Sequence, residues 1–174
     1  MCFWRGCSGS HAFLFSESME NREITAVFIG THDCYFIREE LIEQAIACAV
    51  NMGIKVFLNG GQGHFDITCA SVLHRMKNRY PSLRSYLVIP YHNFNSFDKD
   101  LFDEIIYPFE EQQDTYFFYK RAIPERNKYM VEKSSVAISY VHRSGGASRT
   151  LDYAKKRNLI IIDLIAGETN GYRI

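Results

Sequence analysis

The sequence predicts a single-domain α/β protein of three layers, with a doubly wound and mainly parallel sheet between its helices. From residue 24 onward, short apolar runs alternate with segments of helical periodicity. Several of these runs, such as residues 159–165, are almost continuously apolar. Strands covered by helices on both faces have this composition, as parallel sheets do. Unusual loops follow three of the predicted strands, and two of these loops are glycine-rich; they lie at the edge of such a sheet where ligands bind.

Length and composition fit a single globular domain. The 174 residues lie within the range of one domain, and a hydrophobic fraction of 47% can build a full core. Twenty basic residues balance twenty acidic residues. This balance argues against nucleic acid as a partner, because duplex DNA requires a broad basic surface. It leaves room for one small anionic ligand held locally.

The cysteines and the N-terminus predict a cytoplasmic protein with no membrane partner. Five scattered cysteines form no C-x-x-C pair, which is typical of a reducing compartment. No stretch approaches the roughly 20 apolar residues of a membrane span. The first apolar run, residues 12–15, is too short for a secretion signal. We expect residues 1–22 to be an N-terminal extension that could be disordered, or upstream translation before a start at Met19, and residues 23–174 to be the domain.

The element predictions follow from periodicity and from the residues that end each run. Helices are predicted where apolar side chains recur at helical spacing, as in the stripe through Leu41, Ala45 and Ala49. Gly53 fits a helix C-terminal cap, and Pro124 fits the first turn of a helix. The predicted strands are residues 24–30, 55–59, 85–89, 135–141 and 159–165, with 104–107 as a short further candidate. The predicted helices are residues 38–52, 66 to about 80, 124–133 and 147–157.

The most informative loop is the glycine-rich segment that follows the second predicted strand. Its glycines let the backbone approach a ligand closely, and the following helix N-terminus suits a phosphate. It matches neither the dinucleotide fingerprint, because Asp66 replaces the third glycine, nor the P-loop, because no Gly-Lys-Ser/Thr follows. A tight turn without any ligand is the alternative interpretation. The candidate ligand-binding residues of this loop are Gly60, Gly61, Gln62, Gly63 and Asp66.

Two further loops and one helix start complete the predicted site. Asp33 could bind a ribose hydroxyl or only stabilise its turn. An arginine near a helix start opposes the helix dipole, so an anionic ligand beside Arg126 would account for it, although a solvated arginine is an equal alternative. The other candidates are Gly30, Thr31 and His32 after the first strand, Asn127 beside Arg126, and Gly145, Gly146, Ala147 and Ser148 before the last helix.

Metal and covalent chemistry have little support in the sequence. His64 and Asp66 are accompanied by no H-E-x-x-H pattern and no cysteine cluster, so we expect no metal site. Cys34 is the one thiol in a predicted ligand loop, but no histidine base other than His32 is nearby in the sequence. We assign no catalytic residue and expect no bound cofactor.

In this order, the segments resemble the SLOG superfamily of Rossmann-like proteins, and within it the YpsA-like branch. The resemblance spans about residues 24–165. It is carried by Phe28-Ile29-Gly30-Thr31-His32-Asp33, Gly60-Gly61-Gln62-Gly63-His64-Phe65-Asp66, Val88-Ile89-Pro90-Tyr91, Arg126-Asn127-Lys128-Tyr129-Met130-Val131, and Gly145-Gly146-Ala147 before a helix that ends in Tyr153-Ala154-Lys155-Lys156.

The resemblance implies binding or processing of nucleotides or nucleotide-derived molecules. The superfamily includes the LOG-type phosphoribohydrolases, which use a helical arginine and a glutamate in a Pro-Gly-Gly-x-Gly-Thr-x-x-Glu motif. Arg126 matches the arginine by resemblance. The second motif departs here, because no Gly-Thr follows Ala147 and the next carboxylate is Asp152.

Three functions remain open from the sequence. The first is a module that binds or senses a nucleotide-derived ligand, such as an ADP-ribose-like molecule. The second is an enzyme, an N-glycosidic hydrolase of nucleoside monophosphates with Asp33, Asp66 or Asp152 as its carboxylate. The third is a protein-interaction module that uses residues 116–119 as its contact surface. Relatives also suggest a homodimer.

Overall fold

The computed structural model describes residues 22–94, 99–109 and 116–166, with residues 116–120 described in their backbone only. The strands are β1 (Thr25–Gly30), β2 (Val56–Asn59), β3 (Arg84–Val88), β4 (Glu104–Ile106), β5 (Val136–Tyr140) and β6 (Ile160–Asp163). The helices are α1 (Glu39–Asn51), α2 (His64–Met76), α3 (Tyr116–Glu132) and α4 (Gly146–Lys156).

The six strands form one sheet in the order β4-β3-β2-β1-β5-β6, and every neighbouring pair is parallel. The chain moves outward from β1 through β2, β3 and β4, and then returns to place β5 on the other side of β1. The doubly wound, Rossmann-like α/β fold predicted from the sequence is therefore confirmed. The strand order reverses between β1 and β5, where ligand crevices open in folds of this kind.

Two apolar clusters fill the space between the sheet and its helices. On one face, α1 and α2 pack over Phe28 and Phe57 of the sheet, and Phe65 of α2 lies edge-on against Phe28. On the other face, α3 and α4 contribute Met130 and Leu151, together with smaller aliphatic residues, to the second cluster. The aromatic side of the sheet supports the first glycine loop, and the aliphatic side adjoins the second.

The helix predicted to begin at Pro124 begins at Tyr116, so that prediction was wrong. Proline is usually confined to the first turn, because inside a helix it removes a hydrogen bond and crowds the preceding turn. Here Pro124 lies inside the helix on an exposed face. Ala122, Arg126 and Met130, spaced four residues apart, are all buried on the opposite face. The packing of that face stabilises the helix through the proline.

The other element predictions agree with the structure to within a few residues. The predicted N-terminal extension lies outside the described residues except for Arg22, whose guanidinium donates hydrogen bonds to the backbone oxygens of Ser134 and Arg157 at 2.7 and 2.8 Å. None of the helices in the described ranges has the length and apolar composition that a membrane crossing requires.

Candidate functional site

A cavity of about 430 Å³ opens at the carboxyl ends of β1 and β5. The predicted site residues that line it are Gly30, Thr31, His32, Gly60, Gln62, Asp66, Arg126, Asn127, Gly145, Gly146 and Ala147. Asp33, Gly61, Gly63 and Ser148 belong to the same loops but are not part of its lining. Segments separated by more than 100 residues in the sequence thus meet around one space.

The first glycine loop is held by hydrogen bonds inside the protein. The buried Asn59 amide bridges the loop, since its Oδ1 accepts the N–H of Gly61 and its Nδ2 donates to the backbone oxygen of Asp66, both at 2.8 Å. The Asp66 carboxylate accepts the N–H of Gln62 at 2.8 Å. The N–H of His64 donates to the backbone oxygen of His32 at 2.9 Å. Three of the loop's N–H groups are therefore already used by protein acceptors.

Close packing explains why this loop needs its glycines. A Cβ atom on Gly63 would lie 2.9 Å from the Cα of His32, and the φ of Gly63 is 130°. A Cβ on Gly60 would lie 2.6 Å from the guanidinium of Arg126. A side chain at Gly63 would therefore collide with the backbone just after β1, and a side chain at Gly60 would collide with Arg126.

Arg126 crosses from α3 to the ends of two strands. Its side chain is only 2% exposed and donates to the backbone oxygens of Gly60 and Val88, the latter at 2.9 Å. It also donates to Oε1 of Gln62 at 3.1 Å. Its Nε is buried and finds no acceptor in the described part of the chain. Burial lowers the pKa of Arg126 to about 10, so the guanidinium stays charged at neutral pH.

The sequence placed Arg126 at a helix start, and the structure corrects this. Arg126 lies two residues beyond Pro124, well inside α3. Its position is explained by the acceptors at the strand ends and not by the helix dipole. The burial of its guanidinium was not foreseen, because a single arginine in a polar segment gives no sequence signal of its surroundings.

Asp66 is a buried carboxylate at the cavity wall. Only 9% of the surface of Asp66 is exposed to solvent. Burial raises the pKa of Asp66, although the Gln62 N–H and the positive charges of Arg126 and His32 act in the opposite direction. A carboxyl group in this setting can exchange a proton closer to neutral pH than an ordinary aspartate.

The second glycine loop is open where the first is closed. Helix α4 begins at Gly146, and none of the described side chains caps its N-terminus. Apart from the adjoining residues and the backbone of α4 itself, no atom of the described residues lies within 4 Å of a Cβ built on Gly145 or Gly146. The first N–H groups of a helix have no acceptor within the helix and carry a partial positive charge. This end of α4 therefore presents donors and positive charge to the cavity.

The loop after β1 joins the two glycine loops. Thr31 is buried, and its N–H donates to the backbone oxygen of Tyr140 at 3.0 Å. Asp33 forms an exposed ion pair with Arg143, with Oδ2 and the guanidinium nitrogen 2.5 Å apart. Arg143 lines the cavity and was not among the predicted residues. The sequence feature that could have identified Arg143 is its position directly before Ser144-Gly145-Gly146, at the start of the second glycine loop.

Thr150 is a second lining residue that was not in the predicted ligand-binding set. Its Oγ1 accepts a hydrogen bond from Nδ2 of Asn127 at 3.1 Å and donates to the backbone oxygen of Gly146 at 2.9 Å. These bonds join α3 to the first turn of α4. The other unpredicted lining residues are Phe28, Ile29, Ile123, Met130 and Ser144.

The remaining chemical candidates find little support in the described ranges. Burial, with the negative charges of Asp66 and Asp33, raises the pKa of Cys34 to about 11, which keeps it in the unreactive thiol form. Histidine, cysteine, aspartate and glutamate side chains in these ranges form no group of three or more that could hold a metal ion. The side chains of residues 116–119, the predicted contact surface, lie outside the description.

Comparison with known proteins gives a structural likeness without a sequence family. No family model and no curated protein matches the chain. DNA processing protein A from Streptococcus pneumoniae is 16% identical with a TM-score of 0.59, and the match covers 84% of this chain and 51% of that one. DNA processing protein A from Helicobacter pylori, which binds single-stranded DNA, is 15% identical with a TM-score of 0.58. This match covers 83% of the present chain and 66% of the Helicobacter pylori chain.

A third solved structure extends the comparison to a cofactor-binding protein. The molybdenum cofactor binding protein from Rippkaea orientalis is 17% identical with a TM-score of 0.55, and the match covers 86% of this chain and 83% of that one. The chain spans about two thirds of the length of the Helicobacter pylori DNA processing protein and about half of the length of the Streptococcus pneumoniae protein. At these identities the likeness establishes the Rossmann-like fold that this chain shares with all three.

Proposed function

We propose that this chain is a SLOG-like protein of the YpsA-like branch that binds a nucleotide or nucleotide-derived ligand in the cavity between β1, β5 and the start of α4. One observation carries the proposal. The buried guanidinium of Arg126, whose Nε has no acceptor among the described residues, shares a cavity wall with an uncapped helix N-terminus. Buried charged groups are normally fully hydrogen-bonded, so an unmet donor beside a cavity suggests an anionic ligand.

The phosphate of the ligand is assigned to the second glycine loop. The N–H groups of Gly61, Gln62 and His64 in the first loop already donate to the protein. The open N-terminus of α4, at Gly146 and Ala147, offers N–H groups and a positive dipole end. Arg143 at the rim adds a cation. The fold is compatible with this role, since one similar protein binds a cofactor and another binds single-stranded DNA.

The experiment compares two variants of Gly146 that differ in charge alone. Gly146→Asp places a carboxylate where the phosphate would lie, and Gly146→Asn places a neutral group of the same shape there. A Cβ at this position meets open space, so both variants should fold. By calorimetry or thermal shift with AMP, ADP, NAD and ADP-ribose, we expect Gly146→Asp to bind about tenfold more weakly than Gly146→Asn.

Two results would contradict the proposal. Equal affinities for the two Gly146 variants would mean that no anion lies at the start of α4. Absence of any ligand-induced stabilisation in the unmutated protein would exclude these nucleotides, because a ligand at a hundred times its Kd adds about 2.7 kcal/mol.

N-glycosidic hydrolysis is the second candidate, and Asp66 is the observation that favours it. Of the three carboxylates considered from the sequence, Asp66 lines the cavity, while Asp33 pairs with Arg143 and Asp152 lines a different cavity. In such a reaction the oxygen of water bonds to the anomeric carbon, and the bond to the base breaks with its electron pair leaving on the base nitrogen. The carboxylate takes the proton from water and returns it to the departing base, which leaves as the neutral free base. Chromatography of the same AMP mixtures would then detect free adenine, and Asp66→Asn should abolish its release.

A further inference from the structure

A second cavity, also of about 430 Å³, adjoins the first. The two share four lining residues, Ile123, Asn127, Gly146 and Thr150. The remaining lining residues of the second cavity are Pro124, Lys128, Arg149, Asp152, Tyr153 and Lys156, from the facing sides of α3 and α4. Each cavity has the volume typical of a small-molecule site.

The four shared residues form a ridge between the two cavities, and Gly146 leaves an open path across this ridge. The Asn127–Thr150–Gly146 hydrogen bonds tie α3 to the first turn of α4 and hold the ridge in place. Gly146 itself is exposed and has no described neighbour within 4 Å of a Cβ position. A ligand can therefore pass over Gly146 from one cavity to the other, directly across the N-terminal N–H groups of α4.

The second cavity combines an apolar floor with a cationic rim. Ile123, Pro124 and the ring of Tyr153 provide apolar surface, and the Tyr153 hydroxyl donates to Oε1 of Glu132 at 2.6 Å, which holds the ring in position. This surface suits the flat face of a heterocyclic base.

The charges at the rim favour an anion. Lys128 is paired with Glu125 at 2.8 Å. Arg149 and Lys156 lie two turns apart on one side of α4, about 10 Å along the helix axis, and Asp152 is the one acidic residue in the lining. With Lys128 paired to Glu125 and Glu132 bonded to the Tyr153 hydroxyl, Arg149 and Lys156 are the cations of the lining that can meet an anion.

We propose that the ligand is a dinucleotide, with its first nucleoside in the first cavity, its linking phosphate over Gly146, and its second nucleoside in the second cavity. This rests on the proposed function, because the first cavity must hold a nucleotide. The link is a pyrophosphate, as in NAD, or a 3′–5′ phosphodiester, as in the 5′-phosphorylated dinucleotide pApA. Both chemistries place phosphate oxygens between two bases.

The experiment measures the affinities of the full chain for AMP, NAD and pApA by calorimetry. We expect at least one dinucleotide to bind about tenfold or more tightly than AMP, because it gains charged and apolar contacts in the second cavity. In Lys156→Glu, the ratio of dinucleotide affinity to AMP affinity should fall about tenfold. Lys155→Glu is the matched control, since Lys155 is the exposed neighbour on the same helix turn and does not line either cavity in the described structure.

The outcomes separate this inference from the proposed function. Preference for NAD identifies the pyrophosphate link, and preference for pApA identifies the phosphodiester. Equal affinities for AMP and both dinucleotides, or an equal change of the ratio in Lys155→Glu and Lys156→Glu, would overturn the inference while leaving a nucleotide site in the first cavity. If none of the three ligands binds, the inference fails, and if ADP and ADP-ribose do not bind either, the proposed function fails with it.

Discussion

The two glycine-rich loops look alike in the sequence, yet they are opposites in the structure. The three glycines of the loop between β2 and α2 are buried, and Gly60 and Gly63 fit closely against neighbouring atoms. The N–H groups of Gly61, Gln62 and His64 are bonded to protein acceptors. The loop before α4 is exposed, carries no side-chain cap among the described residues, and has open space around Gly145 and Gly146.

The difference teaches that glycine serves two separate purposes. In the first loop, small size permits a close fit, and the loop acts as the wall that positions Arg126 and Asp66. In the second loop, the missing side chains leave the helix N-terminus accessible to a ligand. A glycine pattern therefore predicts a ligand contact only when the N–H groups beside it are still available, and that requires a full account of their hydrogen bonds.

Among the variants that test this difference between the loops, we expect Gly63→Ala to cause the largest loss of stability. The added Cβ would lie 2.9 Å from the Cα of His32, and a φ of 130° is strained for any residue with a side chain. We expect the free energy of unfolding, measured by urea denaturation, to fall by roughly 3 kcal/mol.

Gly146→Ala is the matched control in the open loop. Its Cβ meets no described atom within 4 Å, and alanine is the better helix former. We expect a stability equal to that of the unmutated protein or higher by a few tenths of a kcal/mol. Similar losses at Gly63 and Gly146 would show that the two loops are equally packed and would contradict the comparison.

A smaller effect concerns the charge at the wall formed by the first loop. Burial raises the pKa of Asp66, so the folded protein retains this proton to a higher pH than the unfolded chain. The contribution of Asp66 to stability is therefore full below its unfolded pKa and is lost as the pH rises through the folded value. We expect the stability of the unmutated protein relative to Asp66→Asn to decrease as the pH rises from about 3.8 towards neutrality.

The opposite slope would have a specific meaning. A relative stability that increases with pH would mean that the charges of Arg126 and His32 outweigh burial at Asp66. The measurement is urea denaturation of both proteins across this range, and the asparagine variant serves as the reference that does not titrate at this position.

The smallest effect belongs to the rim. Asp33→Asn removes the exposed pair with Arg143 and leaves the arginine available to an anion. We expect the stability to change by less than about 1 kcal/mol and AMP to bind about twofold more tightly. Weaker AMP binding would instead mean that Asp33 contacts the ligand directly, as a ribose-binding role requires.

The fold could be predicted because its signals are local and repeated. The apolar runs at β1 and β5 and the stripe through Leu41, Ala45 and Ala49 report their own burial, whatever the rest of the chain does. The helix containing Pro124 could not be placed correctly, because the burial of Ala122, Arg126 and Met130 that stabilises it depends on the assembled sheet.

Most of the residues that line the cavity could be predicted from the sequence, but the contacts that each of them makes could not. Strand-end loops must meet at one edge of a parallel sheet, which brings Thr31, Gln62 and Gly146 around one cavity. Which N–H groups remain available is decided by Asn59 and Asp66, whose side chains turn back into their own loop. The spacing of residues in the sequence predicts neither these side-chain contacts of Asn59 and Asp66 nor the pairing of Asp33 with Arg143.

The parallel pairing of β1 with β5 has a consequence for how the protein folds. Thr31 lines the cavity, and the backbone oxygen of Tyr140 to which it donates belongs to a residue 109 positions away in the sequence. Closing so long a loop is entropically costly, and parallel sheets with such distant contacts fold slowly. The cavity cannot exist on a nascent chain that ends before β5, so ligand binding would report that synthesis and folding have passed that strand.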